Sequence, residues 1–342
     1  MGASPIALVR SVVLAPVAAF LERERVPCES LFEAVRLSPR LLERPDELIL
    51  LGQACTLLET VARKRGLDDI GLLAANSIKF NSFGRFGELA RDTGTLFESL
   101  NLFTSRITAI STSERLFLNW QGERLFFSHK LALRPFPGMR YADAYSLVVM
   151  IKAVQQVLGP EWKPDLIVLP EGERLRMKRY EAFFKTNVVF KDDVWAISIP
   201  PSRLADPVPA MAPASASQQG EEELPHPSSS DMIRSLGEMI RPSLRLAYPD
   251  IGYAARLSGV SVSTFKRRLQ KAGLTYSELV ETERLRLSIE LLAQDGVTIS
   301  DIASELGYTE PGNFTRAFRT WTGLTPSKFR AANPTRHPSN KA

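Results

Sequence analysis

The feature that most constrains this chain is an internal repeat in its last hundred residues. Residues of matching identity or character recur 48 positions later in the first half of the unit and 49 positions later in the second half. The pairs are Ile251 and Ile299, Ala255 and Ala303, Gly259 and Gly307, Val260 and Tyr308, Phe265 and Phe314, Arg267 and Arg316, and Leu269 and Phe318. Self-similarity at a fixed period indicates one supersecondary unit used twice.

Each copy has the pattern of a helix-turn-helix unit. Gly259 and Gly307 lie where the first helix must end, a place that favours a positive φ and therefore glycine. We expect Ser261 and Thr309 to cap the second helix through their side-chain oxygens. The repeated alanine allows two helices to cross closely. In each copy two apolar residues four apart form an inward stripe: Phe265 with Leu269, and Phe314 with Phe318.

The opposite face of each second helix carries groups that can reach bases and phosphates. Arginine can bind guanine with two hydrogen bonds, so Arg267 and Arg316 are the predicted base readers. Lys266 suits a phosphate, Gly312 predicts fewer base contacts in the second copy, and Arg268 and Arg319 are expected to pair with acidic neighbours. The predicted DNA-binding residues are Ser261, Ser263, Thr264, Lys266, Arg267, Thr309, Gly312, Asn313 and Arg316.

A long helix is predicted between the copies, from Thr275 to Gln294, opened by a capping box of Thr275 and Glu278. About 20 residues of helix span ~30 Å, close to the ~34 Å of one turn of B-DNA. Such a rod could hold two recognition helices over successive segments of the major groove.

The net charge of +5 lies entirely in the repeated region. Residues 231–342 hold 16 Lys and Arg against 11 Asp and Glu, whereas residues 1–230 hold 27 of each. A basic domain joined to a neutral one indicates a polyanionic partner for the basic domain alone.

The runs GVSVSTFKRRLQKAG from Gly259 and ASELGYTEPGNFTRAFRTWTGLTPSKFR from Ala303 resemble the DNA-binding domain of AraC/XylS-type regulators. The resemblance covers residues 231–331. It implies a seven-helix domain that binds double-stranded promoter DNA and activates transcription, with RNA polymerase as a partner.

The first half of the chain carries a second resemblance. GELARDTGTL from Gly87, with the later WKP from Trp162, resembles the arabinose-binding-like sensor domain of the AraC subgroup that includes ornithine-responsive regulators. That subgroup commonly has proline where this chain has Gly94. The resemblance implies a small-molecule effector and a homodimer.

Apolar periodicity predicts a mixed α/β fold for this half, beside an all-α C-terminal domain with two helix-turn-helix units joined by a long helix. Helices are expected over residues 46–65, from the Thr95 and Glu98 capping box to about 107, and over 141–158. Strands 115–120 and 124–129 form a predicted hairpin, with its aromatics Phe117, Trp120, Phe126 and Phe127 in the core. Further strands are expected at 166–169, 188–190 and 194–199.

Domain limits follow from composition. Residues 200–230 are dense in Pro, Ala, Ser and Gln without apolar periodicity, which is typical of a flexible linker. The predicted organisation is an effector-sensing and dimerisation domain over 1–203, a linker over 204–230, a DNA-binding domain over 231–333 and a tail over 334–342.

Other chemistry has little support in the sequence. Cys28 and Cys55 lack metal-site spacing and suit a reducing compartment, and the three histidines are scattered, so no cofactor or metal is expected. Residues 6–21 are predicted to form an amphipathic helix rather than a targeting segment. No apolar run reaches the ~18 residues of a membrane-spanning helix, so we expect no membrane partner and a cytoplasmic location.

These patterns favour an effector-responsive, sequence-specific transcription regulator that is not an enzyme. Two alternatives stay open: a ligand-independent dimeric DNA-binding regulator, and an enzymatic N-terminal domain tethered to a DNA-binding unit. The sequence gives the enzymatic alternative no support, because it has no G-x-S-x-G elbow, no phosphate-binding loop and no His/Cys/Asp cluster.

Overall fold

A computed structural model describes residues 6–76, 78, 83, 85–88, 93–132, 136–191, 194–209, 226–245 and 249–332. The chain divides into two compact units. The first comprises Met1–Ser228 with Leu257–Val260, and the second comprises Ser229–Arg256 with Ser261–Ala342. The predicted tail and most of the predicted linker lie outside the described residues, as does Leu89–Asp92 of the sensor-like run.

Among its described residues, the first unit contains eight α-helices and seven strands. The helices are α1 (Ala15–Arg23), α2 (Glu29–Ala34), α3 (Leu51–Arg65), α4 (Ile70–Asn76), α5 (Arg85–Glu88), α6 (Leu96–Arg106), α7 (Met139–Leu158) and α8 (Met177–Phe184). The strands are β1 (Leu8–Arg10), β2 (Leu48–Leu50), β3 (Glu114–Gln121), β4 (Arg124–Leu131), β5 (Leu166–Leu169), β6 (Asn187–Phe190) and β7 (Trp195–Ile199). The mixed α/β prediction is confirmed.

Five strands form one mixed sheet in the order β3-β4-β7-β5-β6. Only β5 and β6 pair in parallel; β3–β4, β4–β7 and β5–β7 are antiparallel. Gly122, at φ +59°, lies in the tight turn of the β3–β4 hairpin, where Gln121 pairs with Arg124. The inward residues of the sheet join a large apolar core with α7, which includes Phe127, Ile197 and Val154.

Two helical predictions are wrong at their N-terminal ends. The chain at Leu8–Arg10 is strand β1, followed by a 3-10 turn at Ser11–Leu14, so the first α-helix begins only at Ala15. Leu48–Leu50 is strand β2, antiparallel to β1, and α3 begins at Leu51. Both short strands are buried throughout, and an apolar run of this length has the same appearance in a buried strand and in a helix.

The predicted capping box at the start of α6 is confirmed, and Gly94 takes part in it. The Thr95 side chain accepts from the Glu98 N–H at 3.3 Å, and the Glu98 carboxylate accepts from the Thr95 N–H at 3.1 Å. The same carboxylate accepts from the Gly94 N–H at 2.7 Å. Proline has no N–H to donate, so glycine here adds a hydrogen bond that the subgroup's proline could not make.

Residues just after Arg203 belong structurally to the first unit. The Leu96 N–H donates to the Asp206 carbonyl and the Phe97 N–H donates to the Leu204 carbonyl, both at 3.0 Å. The Val208 N–H donates to the Gly94 carbonyl at 3.2 Å. The segment 204–208, predicted as flexible linker, is therefore hydrogen-bonded to the start of α6.

The hairpin aromatics do not all lie in the core. Phe126 and Phe127 are buried, but Phe117 is 36% exposed and Trp120 is 52% exposed. Because β3 is at the edge of the sheet, its side chains have a neighbouring strand on one side only. The prediction is correct for β4 and wrong for β3.

The second unit contains seven described helices and no strand among its described residues, which confirms the all-α prediction. They are α9 (Ser229–Ile240), α10 (Ile251–Leu257), α11 (Val262–Lys271), α12 (Tyr276–Leu292), α13 (Ile299–Glu305), α14 (Pro311–Thr322) and α15 (Pro326–Ala332). Across the described part of the chain, no helix is long and apolar enough to cross a membrane.

Candidate nucleic-acid interface

The first helix-turn-helix unit is formed by α10 and α11. Gly259 adopts φ +66° in the turn between them, as its position in the repeat predicts. Ser261 is the N-cap of α11, and its side chain accepts from the Thr264 N–H at 3.3 Å. Ala255, Phe265 and Leu269 are all buried. This packing fixes the rotation of α11 and so determines which side chains face outward.

The outward face of α11 is polar and basic. Ser261, Ser263, Lys266 and Arg267 are exposed, and Thr264 is half-buried. The Ser261 hydroxyl lies 3.1 Å from the Ser263 hydroxyl and donates to the Thr264 hydroxyl at 3.0 Å. The five predicted DNA-binding residues of the first copy therefore lie together on the first two turns of one helix.

The second helix-turn-helix unit is formed by α13 and α14, and Gly307 adopts φ +77° in the turn between them. The predicted cap at Thr309 is wrong. The N-cap of α14 is Glu310, which makes no side-chain capping bond, and Pro311 occupies the first helical position. Proline is favoured there because its fixed φ suits the helix and its missing N–H would have no intrahelical partner. The extra residue of the second copy thus moves the helix start beyond Thr309.

The outward face of α14 carries the second predicted set. Gly312 and Arg316 are exposed and Asn313 is half-buried, while Phe314 and Phe318 are fully buried with their rings 5.6 Å apart. The Arg316 guanidinium donates to the Asn313 side-chain oxygen. Thr309 is exposed, just before the helix.

The ion pairs in the described part of the second compact unit all lie on segments other than α11 and α14, although Lys328 and Arg330 of α15 also have no acidic partner within 4.0 Å there. Five arginines on other segments pair with acids: Arg234, Arg241, Arg245, Arg256 and Arg286. On α11 and α14 the basic residues have no acidic partner within 4.0 Å among the described residues. They are Lys266, Arg267, Arg268, Lys271, Arg316 and Arg319.

Arg268 and Arg319 therefore do not make the acidic pairs predicted for them within the described part of the chain. Burial lowers the pKa of Arg268, and the neighbouring charge of Arg267 lowers it further. These helices therefore carry positive charge that no acid of the described chain approaches within 4.0 Å, and positive charge favours binding to a phosphate backbone.

The connecting helix α12 is shorter than predicted, with 17 residues that span about 25 Å. Its Thr275 capping box is confirmed. Midway along it, the buried carboxylate of Glu283 lies 3.0 Å from the Arg286 guanidinium and 3.8 Å from that of Arg241. Arg286 also pairs with Glu238 of α9. This network ties α12 to α9 and holds the frame on which both helix-turn-helix units are built.

The first unit contains an apolar cavity of about 80 Å³ between α3, α7 and the sheet. Among the 22 described residues that line it, Glu114, Tyr145 and Ser146 are polar. The Tyr145 hydroxyl donates to the Val13 carbonyl at 3.1 Å. Its pKa is raised by burial and by the nearby charge of Glu114.

Glu114 belongs to a buried charged triad with His129 and Asp143. His129 is fully buried; its Nε2 lies 3.1 Å from Glu114 Oε1 and its Nδ1 lies 3.8 Å from Asp143 Oδ1. Burial lowers the His129 pKa, but Glu114 and Asp143 outweigh it, and the net pKa is raised above 6.5. The pattern of the sequence did not predict this triad, because its members are distributed over β3, β4 and α7.

The chain has two helix-turn-helix units with basic outer faces and an α/β unit with an apolar cavity. Together these define a DNA-binding protein of the regulator class. The family described as the arabinose-binding domain of AraC transcription regulators matches residues 26–208. A helix-turn-helix domain family matches residues 254–332. The chain belongs to the AraC family of transcription regulators.

The chain is also similar to individual proteins. The chain is 24% identical to the ornithine utilization regulator of Pseudomonas aeruginosa over 316 residues, which is 89% of this chain and 91% of the relative. It is 30% identical to the regulator VqsM of the same organism over 185 residues, 52% of this chain and 56% of VqsM. The crystal structure of CdpR from P. aeruginosa covers 92% of this chain and 96% of its own, at 22% identity and a TM-score of 0.41.

Proposed function

We propose that this regulator reads promoter DNA through the outward faces of α11 and α14. The observation that carries the proposal is the absence of acidic partners for the basic residues of these helices within the described chain, beside arginines elsewhere in the unit that are paired. Because no acid of the described chain pairs with these guanidinium groups, their N–H donors can bind phosphates and base edges.

Within this surface, Arg267 and Arg316 are the proposed base readers. Both are exposed, and each lies two residues beyond a fully buried phenylalanine, so they occupy equivalent positions on equivalent helices. Asn313, bonded to Arg316, restricts the guanidinium on one side. Ser261, Ser263, Thr264 and Lys266 lie in the first two turns of the helix that carries Arg267, and Thr309 lies just before α14. We propose that they contact phosphates, with Gly312 allowing close approach of the α14 backbone.

The proposed organisation places effector binding and dimerisation in residues up to 208 and DNA binding in residues 229–332. The hydrogen bonds of residues 204–208 to α6, and the start of α9 at Ser229, support these limits. We further propose a homodimer, a cytoplasmic location and recruitment of RNA polymerase as an activator. An enzymatic role for the first unit is not proposed, because the relatives are regulators.

Binding of the full chain to a selected operator and to random DNA, measured by fluorescence anisotropy, tests the base readers. Arg267→Ala and Arg316→Ala should each lower affinity for the operator by ~1–3 kcal/mol and relax preference at one short patch of bases. Random DNA should lose much less. Arg245→Ala is the matched control, because it removes the same charge from an arginine that pairs with Glu305 at 3.4 Å.

The ratio of the affinity lost for the operator to the affinity lost for random DNA decides whether the two arginines read bases or bind phosphates. Equal loss for operator and random DNA would make both arginines phosphate anchors. A loss for Arg245→Ala as large as for Arg267→Ala would refute the recognition surface itself, because the effect would then be one of net charge.

A further inference from the structure

We propose that the apolar cavity of the first unit binds a compact, mainly apolar molecule whose hydrogen-bond donor is received by the Glu114 carboxylate. This inference rests on the proposed function, since it names the chemical class of the effector. It concerns Glu114 and the cavity wall, and it does not depend on how α11 and α14 contact DNA.

The lining excludes a polyhydroxylated ligand from this cavity. Three of the 22 described lining residues are polar, and one of these, Tyr145, already donates its hydroxyl hydrogen to the Val13 carbonyl. A pentose has a hydroxyl on almost every carbon, and a buried hydroxyl without a partner is strongly unfavourable. Most hydroxyls of such a sugar would face Phe127, Val149 or other apolar side chains.

The charge of Glu114 determines which head group is accepted. An ionised carboxylate only accepts hydrogen bonds and can take several donors. One oxygen of Glu114 lies 3.1 Å from His129, and within the described chain no second charged partner is within 4.0 Å of this carboxylate. A ligand ammonium or hydroxyl can therefore donate to it. A ligand carboxylate would bring a like charge next to Glu114 in apolar surroundings, which also disfavours amino-acid zwitterions.

The size of the cavity limits the ligand body. At about 80 Å³ it is smaller than a cavity of ~150 Å³ that accepts benzene. A branched body of about five non-hydrogen atoms suits the space, and a ring would require the flexible Met150 side chain in the wall to move.

One face of α7 offers a way to fill the cavity without touching the carboxylate. Ala142, Ser146, Val149 and Ala153 follow helical spacing and line the cavity together. Leucine at position 146 adds apolar bulk directly into the space and removes only a hydroxyl. Ala142→Leu fills the same wall one turn earlier and serves as the second variant.

Isobutylamine, isobutanol and isobutyrate all carry the same branched isopropyl group and differ in the head group attached to it, so they are the probes. Binding to the full chain is measured by saturation-transfer NMR at pH 7.5, beside L-arabinose and L-ornithine. We expect the amine and the alcohol to bind, isobutyrate to bind at least about tenfold more weakly, and the two polar compounds not to bind. Ser146→Leu and Ala142→Leu should abolish binding of the amine and the alcohol.

Glu114→Gln separates the two donors. Its amide oxygen still accepts from an alcohol, so isobutanol binding should change by less than about threefold, whereas isobutylamine should weaken about tenfold for want of the charge.

Three results would overturn the inference: isobutyrate binding as well as the amine, L-arabinose or L-ornithine binding that Ser146→Leu removes, or no binding by any isobutyl probe to the folded chain. DNA binding of the same samples is measured separately. A chain that binds DNA but none of the isobutyl probes refutes this inference alone, whereas failure to bind DNA refutes the proposed function.

Discussion

Three glycines around α14 allow one substitution to be compared in three environments. Gly307 adopts φ +77°, and a Cβ there would lie 2.0 Å from the Leu244 carbonyl oxygen. Gly323 has the same φ of +77° but nothing within 4 Å of an added Cβ. Gly312, in the first turn of α14, also has nothing within 4 Å and is not among the residues with positive φ.

The expected free energies of unfolding follow from these differences. Gly312→Ala should stabilise by up to about 0.5–1 kcal/mol, because alanine loses less backbone entropy in a helix. Gly323→Ala incurs ~1–2 kcal/mol for the left-handed backbone, partly offset by the stiffer unfolded chain, for a net loss of about 1 kcal/mol. Gly307→Ala adds an overlap with a backbone carbonyl, so the total loss should reach about 2–4 kcal/mol.

Hydrogen exchange of the amides of residues 299–322, measured in the full chain at increasing urea concentrations, gives the local free energy of unfolding in each variant. From most to least stable, the order should be Gly312→Ala, wild type, Gly323→Ala and Gly307→Ala. Equal losses for Gly307→Ala and Gly323→Ala would show that the close approach of Gly307 to Leu244 does not exist. A loss for Gly312→Ala would contradict the open environment of that residue.

Three further predictions concern buried charge and the hairpin. Glu283→Ala should lower the free energy of unfolding by about 2–3 kcal/mol, because Arg241 and Arg286 lose a buried partner; Glu283→Gln should lose less, and equal losses would show that the hydrogen bonds do not matter. The NMR titration of His129 should give a pKa above 6.5, and Glu114→Gln should lower that pKa. Because the folded-state pKa is raised, the protonated ring stabilises the fold fully below about pH 6.5, and this stabilisation is lost as pH rises through the folded-state pKa. A wild-type pKa below 6.5 would contradict the triad. Phe127→Ala should lower the free energy of unfolding by about 3–5 kcal/mol, whereas Trp120→Ser, at a position that is 52% exposed, should change it by less than about 0.5 kcal/mol, as chemical denaturation can check.

Local signals in the sequence predicted much of the fold correctly. These signals act within a few residues of the chain: they are the capping boxes at Thr95 and Thr275, the turn glycines at 259 and 307, and the hairpin turn at Gly122. Their geometry is therefore determined by φ preferences and short-range hydrogen bonds. The repeat, read with these signals, was enough to define both helix-turn-helix units and the face of each second helix that turns outward.

What the sequence determined, then, was the local structure and the inward stripe of each recognition helix; the tertiary structure decided which groups meet across the chain. The sheet places β7 between β4 and β5, and β1 pairs with β2 from 40 residues away, which no short-range preference specifies. Glu114, His129 and Asp143 become partners only when β3, β4 and α7 pack together. The reason is physical: long-range contacts depend on the burial of whole faces, and identical short apolar runs can be buried as a strand or as a helix.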